Sequence, residues 1–323
     1  MSDFENNSEE HKPDKDGQNP LKPFRHYKDQ YPLISPVTAA LLGLIGCFFL
    51  YQIVGGLLTL AIFGMELEKA NVNSLRLMTM AGEILFILLP ALLFARWIYG
   101  DVSEVVYTKI PSWFEVLIFS SGIIILIPLL QSYLYIQNYF IEQWAANSGL
   151  INSIKSLFDS LNELVEKTYG NLLKANSIPE VLLVILVIAI VPAIAEEIMF
   201  RGYIQRSFQK KIKPFWAALI TAVFFGLYHF SPYGLLPLIG LGFYFGFASY
   251  TSKTILIPVF LHFLNNFGAV LLYFIVGDDE IISSKVSDAG SLFSNIFLFI
   301  ILSMLFAIII FVIHKYYSKT RLS

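Results

Sequence analysis

Apolar runs long enough to cross a bilayer recur from Pro36 almost to the C-terminus, and they leave this chain few folds to choose from. A spanning helix needs about 20 consecutive apolar residues. Of 323 residues, 56% are hydrophobic and only 14% charged, against about 25% charged in a soluble domain. The expected fold is an all-α, polytopic membrane bundle of about eight transmembrane helices. The expected spans are 37–63, 78–99, 112–136, 180–206, 214–230, 234–251, 254–276 and 291–314. The fifth is short and ends at His229-Phe230-Ser231-Pro232.

The rest of the chain falls around these spans. Residues 1–35 are polar, with mixed charge and few large aliphatics, and read as a disordered cytoplasmic tail. They do not read as a signal peptide: the first apolar run starts late, is too long, and lacks a small-residue cleavage site. Residues 36–136 hold the N-terminal helices. Residues 137–179 form an external segment in which Ile151, Ile154, Leu157, Phe158, Leu161, Leu164 and Val165 recur at helical spacing. This amphipathic helix either rests on the membrane or bundle or lids a site. Residues 180–276 hold the polar centre, and 277–323 the last helix and a cytoplasmic C-terminus.

Lys and Arg in the short flanks set the orientation. Lys22, Arg25 and Lys28 precede the first span. Arg206, Lys210, Lys211 and Lys213 follow the fourth, Lys253 the sixth, and Lys315, Lys319 and Arg321 the last. The opposite side carries Asp278-Asp279-Glu280. Both termini are therefore expected in the cytoplasm, in an integral protein of a bacterial cell membrane. A net charge of −2 implies no nucleic-acid partner. The single cysteine, Cys47, makes neither an intrachain disulfide nor a Cys-based zinc site and reads as a small buried residue.

One span breaks the apolar rule. Glu196, Glu197 and Arg201 lie within a stretch that should be in lipid, where each charge costs roughly 2.5–3.5 kcal/mol at the bilayer centre. Further polar side chains follow: His229 at the end of the fifth span, and His262 and Asn266 in the seventh. Residues four apart share a helix face, and neighbours point about 100° apart. Glu197 and Arg201 are thus expected to pair and support the site. Glu196 is left to face His229, His262 and Asn266, with Asn265 pointing elsewhere. Phe225 shares a face with His229 and can pack on its imidazole.

One Glu, two His and an Asn suffice for hydrolysis by water. The carboxylate takes the water proton with His229 orienting or sharing it, and an imidazole and an amide donate to the oxyanion. Glu196, His229 and His262 are equally a donor set for a divalent metal such as zinc, and the residues leave both open. His-Glu-x-x-His, Gly-x-Ser-x-Gly and an intramembrane aspartyl dyad are absent from the sequence. Plainer readings are a structural ion network in a non-enzymatic immunity or scaffold protein, or a proton path in a transporter. Each element alone fits those; together, in nearby spans, they favour a site.

These residues resemble a known family. Glu196-Glu197-x-x-x-Arg201, Phe225-x-x-x-His229 and His262-x-x-x-Asn266, with Gly242-x-x-x-Gly246-x-x-x-Tyr250 between the last two, are similar to the motifs of the CPBP family. These are the CAAX-protease and bacteriocin-processing intramembrane proteases, also called Abi proteins. The resemblance covers about residues 180–275. It implies an intramembrane endopeptidase acting on membrane proteins or peptides. Glu196 and His229 would activate water, His262 and Asn266 would stabilise the oxyanion, and Glu197 and Arg201 would support them. The family is conventionally labelled metalloprotease, and a metal-independent, glutamate-based mechanism is also argued for it. The CAAX substrate is not carried over, since no residue here identifies a prenyl-binding pocket.

Overall fold

The computed structural model describes residues 32–66, 69–276 and 290–320. Most of the expected tail and the Asp278-Asp279-Glu280 segment lie outside these residues. The described residues form helices and no strand. In chain order the helices are α1 Pro36–Phe63, α2 Val72–Tyr99, α3 Trp113–Asn147, α4 Gly149–Leu173, α5 Ile178–Gln209, α6 Pro214–Tyr228, α7 Leu235–Ser252, α8 Leu256–Val276 and α9 Gly290–Thr320.

Local chemistry sets the helix ends. The Ser35 hydroxyl caps α1 ahead of Pro36, and Asn71 caps α2. Ser112 and Glu115 make a reciprocal capping box at the start of α3. Gly100, at φ 75°, closes α2 in the left-handed region, where a residue without Cβ is unstrained.

Among the described residues, seven helices are long and apolar enough to cross a membrane. The expected eighth, α6, has 15 residues, roughly 22 Å at 1.5 Å per residue. That is short of a hydrocarbon core of about 30 Å. It stops at Tyr228 because Pro232 follows closely and because its terminal carbonyl is met inside the protein: Gln52 Nε2 of α1 donates to the Tyr228 oxygen at 2.9 Å. Elsewhere the helices outrun their apolar cores, α2 starting at Val72 and α3 running on to Asn147. Leu93, Ile124 and Ile308 are more than half exposed, as expected of side chains whose neighbours are lipid tails.

α6 and α7 pack as a tight hairpin, and α9 lies along α3. α4 runs across one end of the bundle. Arg76 of α2 ties its C-terminus by donating to the carbonyls of Leu172, at 2.9 Å, and of Lys174. Tyr233 reaches Asp159 in its middle at 2.6 Å. Its apolar stripe stays uncovered by protein, with Leu157 59% and Leu164 64% exposed.

Candidate active site

Helix α5 is bent to serve the site. Pro192 has no N–H to give to the carbonyl of Ile188 four residues earlier. That carbonyl instead accepts from Asn266 Nδ2 of α8 at 2.9 Å. On either side of Pro192 the helix widens to five-residue turns: Val191 N–H bonds the Leu186 oxygen, and Gln205 N–H the Phe200 oxygen. Turns of this kind are frequent at functional sites. The second carries Arg201, just after the acidic pair.

Glu197 and Arg201 are completely buried and paired, Arg201 Nη1 donating to Glu197 Oε1 at 2.7 Å. Arg201 Nη2 donates to the Gly242 carbonyl at 3.0 Å, and its guanidinium lies 4.4 Å from the centre of the Phe225 ring, a cation–π contact. Gln205, one turn on, donates to the Gly246 carbonyl at 3.0 Å. The two glycines thus let the α7 backbone come within hydrogen-bond reach of α5 side chains. A Cβ on Gly242 would sit 2.8 Å from Phe225 and 3.1 Å from Arg201 Nη2.

Glu196, His229, His262 and Asn266 line one cavity of about 510 Å³, with Phe225 in its wall. Two details differ from expectation. His262 Nδ1–H donates to Glu197 Oε1 at 2.9 Å rather than to Glu196, so Glu197 joins Arg201 and His262. Asn265 does not point elsewhere: it lines the same cavity and its Nδ2 donates to Asn266 Oδ1 at 3.0 Å. The cavity wraps further round α8 than a single helix face.

The imidazoles are oriented from behind. His229 lies just past the last turn of α6, before Phe230 in the left-handed region at φ 49°, which carries strain in a residue with Cβ. Its Nδ1–H donates to the Phe225 carbonyl at 2.7 Å, so in the neutral ring Nε2 is the acceptor. The Phe225 ring packs 4.8 Å from the His229 ring, and Phe245 stacks on His262 at 5.3 Å. Glu196 Oε2 is buried with no hydrogen-bond partner among the described residues. It is an acceptor in the cavity that packing leaves free.

Among the described residues no three His, Cys, Asp or Glu side chains are grouped to hold a metal ion. Both Nδ1 atoms are committed as donors, which leaves each Nε2 as the free ring nitrogen, but the two rings and Glu196 do not converge as one ligand group. Glu196, His229 and His262 as arranged do not fit the zinc ligand set, and the chemistry below is derived from protein groups.

Three cavity residues escaped the sequence reading: Glu83 of α2, Tyr51 of α1 and Tyr169 of α4. Glu83 carries the signal that marked Glu196, a carboxylate in a lipid-length run. Tyr51 and Tyr169 carry none.

Fold and site together define a polytopic helical membrane protein with a charged, polar centre built inside the bundle. Residues 178–268 match the family model for type II CAAX prenyl endopeptidases, Rce1-like. The match runs from the first turn of α5 past Asn266, under a third of the chain. The chain is also 32% identical over 137 residues to the protein named "Putative membrane peptidase YdiL" of Bacillus subtilis (strain 168), covering 42% of this chain and 54% of the relative. The chain thus spans about half the length of the curated relative it matches. No solved structure gives a significant match.

Proposed function

We propose that this chain is an intramembrane endopeptidase that hydrolyses peptide bonds of membrane-associated proteins or peptides, with Glu196 as general base. One observation carries the reading: Glu196, His229, His262 and Asn266, from three separate helical segments, line one cavity in which the Glu196 Oε2 has no partner. Water held between Glu196 and His229 Nε2 gives its proton to the carboxylate as its oxygen adds to the peptide carbonyl. Asn266 has one Nδ2 hydrogen beyond its bond to Ile188, free to meet the oxyanion. His262 donates from Nε2 when its ring carries both protons. Glu197 and Arg201 are positioning residues that hold His262 and α7.

The cavity shares Tyr51, Gln52, Thr79 and Leu172 with a larger cleft of about 730 Å³ that reaches Met65, Glu66 and Lys69. It therefore opens toward the end of the bundle crossed by α4, away from Lys210, Lys211 and Lys213. Basic flanks favour the cytoplasmic side, so substrate arrives from the non-cytoplasmic face. The exposed apolar stripe of α4 then lies against lipid at that interface.

Purified full-length protein in lipid, mixed with a membrane-protein extract, tests the reading. Glu196→Gln and His229→Ala are expected to fold and insert, and each to lower the rate of peptide-bond cleavage at least about 100-fold, the usual range for a lost general base. Cleavage retained by both folded variants would sink the mechanism.

A further inference from the structure

Glu83 has no part in the mechanism above. It is 4% exposed, on α2, and lines the same cavity as Glu196. The turn Glu83–Leu88 packs directly on Val191–Glu197, so the two carboxyl-bearing turns face each other across a helix interface. Tyr51 lines the cavity beside them, and Glu83 and Glu196 are within electrostatic reach of each other. Glu83 Oε2 and Glu196 Oε2 are both buried with no hydrogen-bond partner among the described residues.

Among the described residues, the surrounding groups leave this pair without a cation. Arg201 is committed to Glu197 and the Gly242 carbonyl. Arg76, two turns before Glu83, donates to Asn73 and the carbonyls of Leu172 and Lys174. The titratable groups lining the cavity with Glu83 are Tyr51 of α1, Tyr169 of α4, Glu196 of α5, Tyr228 of α6, His229 after it, and His262 and Tyr273 of α8. The tyrosines offer hydroxyls, and His262 is turned to Glu197. Two ionised carboxylates in one cavity within an apolar bundle repel each other with little solvent to screen them, the arrangement in which paired carboxyls keep one proton.

We infer that Glu83 and Glu196 hold a single proton between them, making Glu83 the acid half of an acid–base pair that acts through Glu196. Glu83 Oε2, which packing leaves without a partner, carries the proton toward Glu196. The use of the pair rests on the peptidase reading, and its steps balance. Water gives a proton to ionised Glu196 and its hydroxide oxygen bonds to the peptide carbonyl carbon, so that the pair holds two protons. One moves to the amide nitrogen, the C–N bond breaks, and the oxyanion re-forms its double bond. A carboxylic acid and an amine leave, and the pair again holds one proton.

Infrared difference spectroscopy of the full-length protein in lipid tests the shared proton without any substrate. At neutral pH the wild type is expected to show the carbonyl stretch of a protonated carboxylic acid. Glu83→Gln abolishes it, and Glu196→Gln shifts it as its partner changes from carboxylate to amide. Absence of the band in the wild type, or an unchanged band in Glu83→Gln, overturns the inference. On a peptide that the wild type cleaves, Glu83→Gln lowers kcat at least tenfold and removes the alkaline limb of the pH profile, where the pair loses its proton. An unchanged profile counts against the pair. A band that depends on both residues in a protein that cleaves nothing upholds the shared proton and removes the peptidase reading.

Discussion

Glu197 accepts from Arg201 and His262 through one oxygen, and all three side chains are at most 3% exposed. Breaking a buried ion pair by removing one partner costs about 3–5 kcal/mol, because a bare charge is left in the interior. Arg201→Met is expected to destabilise the protein by about that amount, while Glu196→Gln, which touches no such pair, leaves thermal unfolding in detergent nearly unchanged. Equal unfolding temperatures for Arg201→Met and the wild type would refute the supporting role. Helix arithmetic on the sequence was enough to pair Glu197 with Arg201, because that pair is local, four residues apart on one helix. It could not find that His262 bonds Glu197, which depends on how α8 is rotated against α5. It also set Asn265 aside, since a face of one helix is narrower than a cavity walled by several. Glu83 was legible by the charge-in-lipid rule but had no second acidic or imidazole side chain in its span.

At the scale of elements, the α5–α7 contact decides whether the polar centre forms. Gly242 and Gly246 are one turn apart, as are Arg201 and Gln205, and the two pairs meet carbonyl to side chain. Gly242→Ala would push a methyl to 2.8 Å from Phe225 and 3.1 Å from Arg201 Nη2. Overpacking of this kind costs about 1–3 kcal/mol, and here it also displaces the ring behind both imidazoles. The expected outcome is a lower unfolding temperature together with reduced cleavage, read by thermal unfolding and by product formation; wild-type values for both would contradict it. The sequence showed the glycine spacing but not its partner. The widened turns of α5 had no sequence signature beyond Pro192, whose missing N–H explains the Asn266 contact only once α8 is in place.

At the scale of the whole molecule, the apolar runs made the class of fold legible because bilayer thickness imposes a length on each helix. The short α6 departs from that rule because its C-terminus is met inside the bundle, by Gln52. The orientation is open to a direct check, since Cys47 is buried and is the chain's single thiol. In intact cells a membrane-impermeant thiol reagent is expected to label Glu66→Cys and not Lys211→Cys; the reverse pattern would put the cavity mouth in the cytoplasm. The central claim is that Glu196 activates water to cut peptide bonds within the membrane. It is tested most directly by mass spectrometry of peptide termini in membranes from cells making the wild type or Glu196→Gln at equal levels. New termini are expected with the wild type, and intact precursors should accumulate with Glu196→Gln. Identical sets of termini from the two would contradict it.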